Sequence, residues 1–389
     1  MMKAVFALCL LLFVALAASP PALAGGSAPP LERQPLRGYY EPSGITQLPD
    51  GRIVLVEDER EASISILTLL DDFTLSGTPL RVGSLLSLML GGSAGPLDDL
   101  EAVTVGGEEF VFAMTSHSRT PSGERRPDRE KLVRFMVGDT RVTELSLVTN
   151  LRDKIAELSD ELAEAADVFD AKDDNGLIVE GLAYDGENDL LLIGLRGPVV
   201  DDMAVILSLE PDVAFSGDGN PFSADPFYLD LDGGGIRSMA FAPRLDGFLI
   251  VSRQEKRGKN FKLWLWNPEG EQQPRRIRLP DNIDLEKAEG ITPVSHNGIE
   301  LIMITFDSGN RLRNRSAEYV LVPYDALQIE GSPEQEAGQN AEAPPRVHAA
   351  SGPVQVMDDL LELGQMSAQK LSRGANTVGG ELQNLFRGL

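Results

Sequence analysis

The sequence predicts an all-β fold, a β-propeller of five blades, and three observations carry this prediction. One hairpin pattern occurs five times: a small or acidic residue, a short apolar strand, a tight turn with Gly or Asp, and a second apolar strand. The first residues of the five copies lie 58, 79, 58 and 51 residues apart. Further β-rich segments follow each hairpin. Strand-based repeats of this size are typical of β-propellers.

The turn residues support the assignment of five hairpins. The turns are Pro-Asp-Gly, Gly-Gly, Asp-Gly-Glu-Asn, Leu-Asp-Gly and His-Asn-Gly, which favour tight connections between antiparallel strands. A third apolar strand follows every hairpin, and a fourth follows the first four, beginning with PLRVGSLL in the first copy. The hairpins begin at Ser43, Glu101, Glu180, Ser238 and Glu289.

The chain start supplies the strand that the fifth copy lacks. No fourth strand follows Tyr324, but the segment PLERQPLRGYY precedes the first copy. We expect this N-terminal strand to pair with the last blade and to close the ring, which hides sheet edges that would otherwise pair with other chains. Six blades are an open alternative, because GSLLSLMLGGSAGPLDD after Arg81 contains enough β-forming residues for extra strands.

The 79-residue interval predicts one helical insertion between blades two and three. Residues 151–170 favour an amphipathic helix, because apolar residues recur there at helical spacing. These residues are Ile155, Leu158, Leu162 and Val168.

Residues 1–24 predict a secretory signal peptide. A positive start precedes an apolar run over 4–18, and Ala22-Leu23-Ala24 is a small-x-small cleavage pattern. We therefore expect cleavage after Ala24 and a periplasmic or secreted protein. The single cysteine, Cys9, lies within the leader, so the mature chain has no thiolate for metal binding or catalysis.

The mature chain is predicted to contain three regions. The propeller domain covers 25–328, a disordered Pro/Glu/Ala/Gly-rich linker covers 329–353, and a weakly helical extension covers 354–389. Three roles of the extension are open: docking on the propeller, binding a partner or a membrane surface, and none.

The formal net charge of -25 restricts the partners. An acidic surface of this size repels nucleic acid and anionic lipid, so we expect neither as a partner. No segment after the leader is long and apolar enough to cross a bilayer. We expect a soluble monomer with a surface that suits cations, including Ca2+.

The propeller fold predicts where the polar ends of the hairpins meet. First strands line the central channel, so Glu101, Glu180 and Glu289 should converge at one end of it. Second strands end at the same mouth, which places Glu180 near Arg196. The residues at these second-strand ends are Glu57 and Asp58, Ser116 and His117, Arg196, Arg253, and Asp307.

Three interpretations of the converging carboxylates are open. In the first, Arg196, Arg253 and Arg237 neutralise the glutamates and tie neighbouring blades together. In the second, Glu101, Glu180 and Glu289 hold Ca2+ together with Asp58 or Asp307. In the third, Glu180 is a general base, His117 carries a proton, and Arg196 or Arg253 binds an anionic group, with Glu101 and Glu289 completing the ligand site.

Three motifs carry a family resemblance. The stretches EGLAYD...LLIGLRGP, DLEAVTV and EGITPV resemble a bacterial family of exported propellers known as domain of unknown function 3616. More distantly, the repeat is similar to the esterase-like phytase and gluconolactonase/paraoxonase propellers, in which residues at the starts of strands near the channel help to hold Ca2+. The resemblance covers residues 38–324 and implies no established activity.

Two functions from different classes follow. The first is a cell-envelope binding or scaffold protein that recognises a small anionic ligand or a protein partner at the channel mouth. The alternative is a Ca2+-dependent hydrolase of phosphate esters or lactones. Ca2+ is the only cofactor that the residues suggest.

Overall fold

The computed structural model describes residues 29–58, 64–77, 97–107, 109–138, 142–222, 225–254, 260–269 and 273–331. The chain divides into two units, Met1–Ser332 and Pro333–Leu389, and all described residues belong to the first. The predicted leader, the extension over 354–389 and most of the linker lie outside the described residues.

Five antiparallel sheets form the five blades of a β-propeller, which confirms the predicted fold class. Blade 1 contains β2 (Pro42–Gln47), β3 (Ile53–Glu57), β4 (Ile64–Leu69) and β5 (Leu75–Ser76). Blade 2 contains β6 (Leu100–Gly106), β7 (Phe110–Thr115), β8 (Leu132–Val137) and β9 (Val142–Val148). Blade 3 contains β10 (Ile178–Asp185), β11 (Leu190–Gly197), β12 (Ala204–Leu209) and β13 (Phe227–Leu229).

The last two blades each include a strand from elsewhere in the chain. Blade 4 contains β14 (Gly235–Ala242), β15 (Gly247–Arg253), β16 (Phe261–Trp266), β17 (Arg275–Arg278) and the later strand β21 (Gln328–Ile329). Blade 5 contains β18 (Ala288–His296), β19 (Ile299–Phe306), β20 (Ala317–Pro323) and the N-terminal strand β1 (Gln34–Leu36).

The N-terminal strand closes the ring, as the sequence predicts. Strand β1 pairs antiparallel with β20, and Gln34 lies opposite Tyr319. Strand β21, which the sequence pattern did not predict, pairs with the edge of blade 4 through Ile277 and Ile329. The sheet edge that β17 would expose is thereby covered.

The insertion between blades 2 and 3 contains two short helices where the sequence predicted one. Helix α1 covers Leu151–Ala156 and α2 covers Asp160–Asp167. Ser159 starts the second helix, because its side chain accepts a hydrogen bond from Leu162 N and so caps the new N-terminus. Ile155 and Leu162 are buried against blades 2 and 3, so the insertion packs on the propeller through its apolar face.

The remaining helices are short. Helix α3 covers Pro211–Ser216 in blade 3. Single 3-10 turns occupy Pro127–Arg129, Pro243–Leu245, Arg311–Arg313 and Tyr324–Ala326. Within the described ranges, no helix is long and apolar enough to cross a membrane.

The core lies between neighbouring blades. Trp264 and Trp266 of blade 4, for example, pack in one buried group with Ile206 of blade 3. The first strands β2, β6, β10, β14 and β18 contact one another in a closed ring. Because these inner strands surround the axis, residues at their starts share one end of the central channel.

Candidate ligand and metal site at the channel mouth

Every blade has a β-bulge at the start of its first strand, and each bulge sets one residue out of register. The five bulged residues form what we call the bulge ring: Ser43, Glu101, Glu180, Arg237 and Glu289. A bulge re-aims a side chain and is frequent beside functional sites. The backbone irregularity therefore explains why polar residues open these otherwise apolar strands.

Blade 4 departs from the sequence alignment of the hairpins by one residue. The pattern assigned Ser238 to the first position, but the register shift between Ile236 and Ser238 places Arg237 in the bulge. Ser238 Oγ instead accepts a hydrogen bond from Ile291 N of blade 5 at 3.1 Å. The hairpin pattern requires a small or acidic residue at the first position and therefore missed Arg237. A β-bulge has no characteristic residue type that a single sequence could show.

Arg237 is the centre of a buried ion-pair network. Its Nη1 lies 2.5 Å from Glu180 Oε2, and its Nη2 donates a hydrogen bond to Glu289 Oε1. Arg196 Nη1 donates to Glu180 Oε1 at 2.9 Å, which confirms the predicted proximity of the two hairpin ends. The guanidinium carbon of Arg253, the other predicted partner, lies 5.5 Å from the centre of the Phe261 ring.

The network occupies the blade 3 to blade 5 side of the mouth and uses Glu180 and Glu289 in ion pairing. Burial raises the pKa of Glu289 to about 7, although the Arg237 guanidinium opposes this shift; the negative charge of Glu180 adds to it. Arg237 itself has a raised pKa because the attraction of Glu180 and Glu289 outweighs the effect of burial. Ion pairs this deeply buried chiefly fix geometry.

A second acidic group lies on the blade 1 to blade 2 side. Oxygen atoms of Asp58, Asp99 and Glu101 all lie within 4.8 Å of one another, and we call these residues the carboxylate cluster. Asp58 follows β3, and Asp99 and Glu101 begin blade 2. Ser118 Oγ donates to Asp99 Oδ2 at 3.3 Å, which orients that carboxylate.

Protonation reflects the crowding of negative charge in this cluster. Burial raises the pKa of Asp58 to about 8, and the charge of Asp99 adds to the shift. Burial also raises the pKa of Glu101 well above its usual value, with further contributions from Glu180 and Asp99. Burial would raise the pKa of Asp99 as well, but hydrogen bonds with Asp58 and Ser116 outweigh it and lower that pKa. The cluster therefore keeps protons at neutral pH when nothing else offsets the repulsion.

One arginine supports the cluster from blade 2. Arg129 Nη1 lies 2.9 Å from Asp99 Oδ2, and its Nε donates to Asp98 Oδ2 at 3.2 Å. Three carboxylates with oxygen atoms this close form a hard-oxygen donor set, which fits Ca2+ or Mg2+ rather than a soft metal.

Two predicted residues lie outside the carboxylate cluster, although burial raises the pKa of Glu289 and the charge of Asp307 adds to this shift. His117 is completely buried, and its Nδ1 lies 2.8 Å from Thr115 O. Burial lowers the pKa of His117 to about 4, which keeps its imidazole neutral. Asp307 is not a member of the acidic cluster found among the described residues, and its backbone N donates to Lys287 O at 2.9 Å.

A cavity of about 540 Å³ opens beside Arg196, at the junction of blades 3 and 4. Its walls come from the segments 171–178, 196–202 and 230–235, with Gln254 and Lys262. The cavity lies within the size range of small-molecule sites. Lys172 connects the two features: it lines the cavity, and its charge also stabilises the carboxylates of Asp58 and Asp99.

Comparison with known families agrees with the motif resemblance. The family model described as protein of unknown function (DUF3616) matches residues 168–323. This match covers the motifs at 180–198 and 289–294 and confirms the resemblance there, while the motif at 99–105 lies before it. No curated protein matches the sequence.

Solved structures with similar folds include several matches of low identity. A putative oxidoreductase (glucose dehydrogenase) from Thermus thermophilus is 14% identical, with 75% of this chain and 100% of that chain covered and a TM-score of 0.39. The allergen Mala s 1 of Malassezia sympodialis is 9% identical, with 82% of each chain covered and a TM-score of 0.38. A putative gluconolactonase is 11% identical, with 77% of this chain and 93% of that chain covered and a TM-score of 0.36.

Sequence reasoning missed Asp99 and Lys172, and it predicted the ion pairing of Arg237 without its place in the bulge ring. Asp99 stands within the quoted motif DLEAVTV, and its position two residues before Glu101 was a usable signal. Lys172 lies in a loop with no motif, so only the fold brings it to the mouth. Arg237 was considered as a neutralising side chain but not as a member of the ring.

Proposed function

We propose that this chain is an exported ligand-binding propeller of the cell envelope whose channel mouth holds Ca2+ on Asp58, Asp99 and Glu101. One observation carries the proposal: two buried carboxylates, Asp99 and Glu101, and the half-buried Asp58 have oxygen atoms within 4.8 Å of one another. Either protons or a cation must offset repulsion of this kind. A divalent cation with oxygen ligands would replace the protons, and Ca2+ tolerates the irregular geometry of such a site better than Mg2+.

The other predicted ligands are better suited to ion pairing. Glu180 and Glu289 already contact Arg237, and Glu180 also contacts Arg196. Both carboxylates are thus neutralised by arginines that would repel a further cation.

In the carboxylate cluster, by contrast, the described ion pairs involve only Asp99, which contacts Arg129, so Asp58 and Glu101 keep their oxygens for a metal. We therefore assign the metal to the blade 1 to blade 2 side of the mouth and the structural ion pairs to the opposite side.

A thermal melt of the metal-stripped protein, titrated with Ca2+ and with Mg2+, tests the proposal. Specific binding stabilises the folded state by about 2.7 kcal/mol at a free Ca2+ concentration of about 100 times Kd. We expect a saturable rise in Tm for the wild type that is lost in Asp99→Asn and in Glu101→Gln. The matched control is Asp307→Asn, an acidic residue outside the cluster, which should retain the full response. A Ca2+ response that survives in both cluster variants would refute the site.

The same variants separate simple binding from the alternative, a Ca2+-dependent hydrolase. The position of Arg196 supports this alternative: it lines the cavity and contacts Glu180, the neighbour of Glu101 in the bulge ring, so a ligand in the cavity would lie near the channel mouth. A hydrolase should cleave members of a phosphate-ester and lactone panel only with Ca2+, and Asp99→Asn should lose turnover while it stays folded. A binding protein turns over none of them.

A further inference from the structure

Glycines at the junction of blades 3 and 4 line part of the cavity beside Arg196. A Cβ at Gly235 would clash with Arg196 O, so the backbones of blades 3 and 4 meet there only because no side chain intervenes. Gly197 and Gly233 also line the cavity. Its apolar side chains are small or aliphatic, Ala171, Ile178 and Val199, and its lining includes no aromatic ring among the described residues. The walls therefore suit a polar ligand without large apolar groups.

The inner wall of this cavity is cationic. Arg196 contacts Glu180 of the bulge ring, so its guanidinium lies on the channel side of the cavity. Lys172 is exposed, lines the same cavity and belongs to the loop that leads into β10; Gly176 of this loop packs against Gly197, next to Arg196. A carboxylate on a ligand would find two positive groups at this end.

The other wall of the cavity, which we call the outer wall, contains carboxylates from blade 3 and from the turn that leads into blade 4. A Cβ placed at Gly233 would lie 3.6 Å from Asp202 Oδ1, so this blade 3 carboxylate faces the turn that contains Asp230 and Asp232. Asp232 pairs with Lys262, whereas Asp202 and Asp230 form no ion pair with any residue that the structure describes. Two carboxylates are thus left to receive a cationic group on a ligand.

The total charge disfavours a simple anion. The lining contains the cations Lys172, Arg196 and Lys262 against the acids Asp173, Asp202, Asp230 and Asp232. A purely anionic ligand would meet these carboxylates, and a purely cationic one would meet the guanidinium and ammonium groups of the inner wall. Only a ligand that carries both charges, well separated, satisfies both ends.

The size of the cavity limits the length of the ligand. A sphere of about 540 Å³ is about 10 Å across, and an extended peptide covers about 3.3–3.6 Å per residue. We propose that the cavity binds a zwitterionic di- or tripeptide with small side chains, its C-terminal carboxylate towards Lys172 and Arg196 and its N-terminal ammonium towards Asp202 and Asp230. This inference rests on the proposed ligand-binding function but does not require the Ca2+ site.

Calorimetric titration with trialanine, N-acetyl-trialanine and trialanine amide tests the assignment. We expect the protein to bind trialanine at least about 10-fold more tightly than either blocked peptide, because each block removes one charge pair. In Asp202→Asn, acetylation of the peptide should reduce the affinity less than in the wild type, because the carboxylate that would pair with the ammonium group is already gone. In Lys172→Gln, amidation should likewise reduce the affinity less, because the partner of the C-terminal carboxylate is already gone. Asp281→Asn, an exposed acid outside the cavity, is the matched control and should behave as the wild type.

Several outcomes would overturn the proposal. They are no heat of binding with trialanine, equal affinity for the blocked peptides, and tighter binding of inorganic phosphate or spermidine than of trialanine. Melting curves of both variants exclude misfolding as a cause. Asp99→Asn distinguishes this inference from the proposed Ca2+ site: it should lose the Ca2+ response and keep trialanine binding, so either idea can fail alone.

Discussion

At the scale of single residues, the mouth shows how one side chain changes the chemistry of its neighbours. Arg237 contacts Glu180 and Glu289 and commits both to ion pairing, while Glu101 shares its cluster with two further carboxylates, Asp58 and Asp99. Residue type alone did not separate these glutamates, because all three open a blade in the same way. The difference comes from the residue next to each in the ring, which is a property of the fold.

His117 leads to a prediction about pH. Burial lowers its pKa to about 4, against about 6.5 in an unfolded chain. Between these values the unfolded chain binds more protons, so the contribution of His117 to stability is fully present above about pH 6.5 and is lost as the pH falls towards about 4. The loss amounts to about 3 kcal/mol at most.

Urea unfolding of the wild type and His117→Asn at about pH 4.5 and about pH 7.5 measures this effect. We expect the difference in the free energy of unfolding between the two pH values to be smaller in the variant by about 2–3 kcal/mol. An unchanged difference would mean that the buried imidazole does not titrate with unfolding.

At the scale of elements, the local sequence pattern predicts the hairpins well and the edge strands of the blades poorly. Each hairpin spans about 20 consecutive residues, so its apolar strands and its Gly-containing turn are local signals. The sequence was therefore sufficient to predict all five hairpins. Strand β21 has only two residues and no pattern of its own, and tertiary pairing with β17 alone defines it. In blade 1, the described fourth strand is Leu75–Ser76, whereas the predicted segment PLRVGSLL lies outside the described residues.

Ring closure by β1 can be tested through one buried side chain. Leu36 is only 1% exposed and packs between blades 1 and 5 with Tyr319. Leu36→Ala should lower the free energy of unfolding by about 2–5 kcal/mol, because it removes apolar contacts and leaves a cavity at the closure. Arg37→Ala, the exposed neighbour, should change it by less than about 0.5 kcal/mol. Chemical denaturation of both variants gives the comparison, and equal small effects would show that β1 does not help to close the ring.

At the scale of the whole molecule, the sequence predicted the architecture and two members of the carboxylate cluster, Asp58 and Glu101, but not the third, Asp99. The repeat implies that strand starts converge, yet Asp58 and Asp99 come from two separate segments and meet only through blade geometry. The net charge of -25 concerns the entire surface and carries no information about which carboxylates share a site. General repulsion and specific cation binding therefore need separate measurements.

Melting curves at varied NaCl and Ca2+ concentrations distinguish general charge repulsion from specific cation binding. Monovalent ions screen repulsion between surface charges, so NaCl between about 0.02 and 0.3 M should raise Tm by an amount on the order of a few degrees, in the wild type and in Asp99→Asn alike. At constant ionic strength, millimolar Ca2+ should raise Tm further in the wild type only, since its effect requires the carboxylate cluster. If the Ca2+ shift disappeared once ionic strength was held constant, the acidic surface as a whole would account for it. One carboxylate should contribute little to the electrostatic field of a chain with a net charge of -25. Loss of the NaCl response in Asp99→Asn would contradict this expectation.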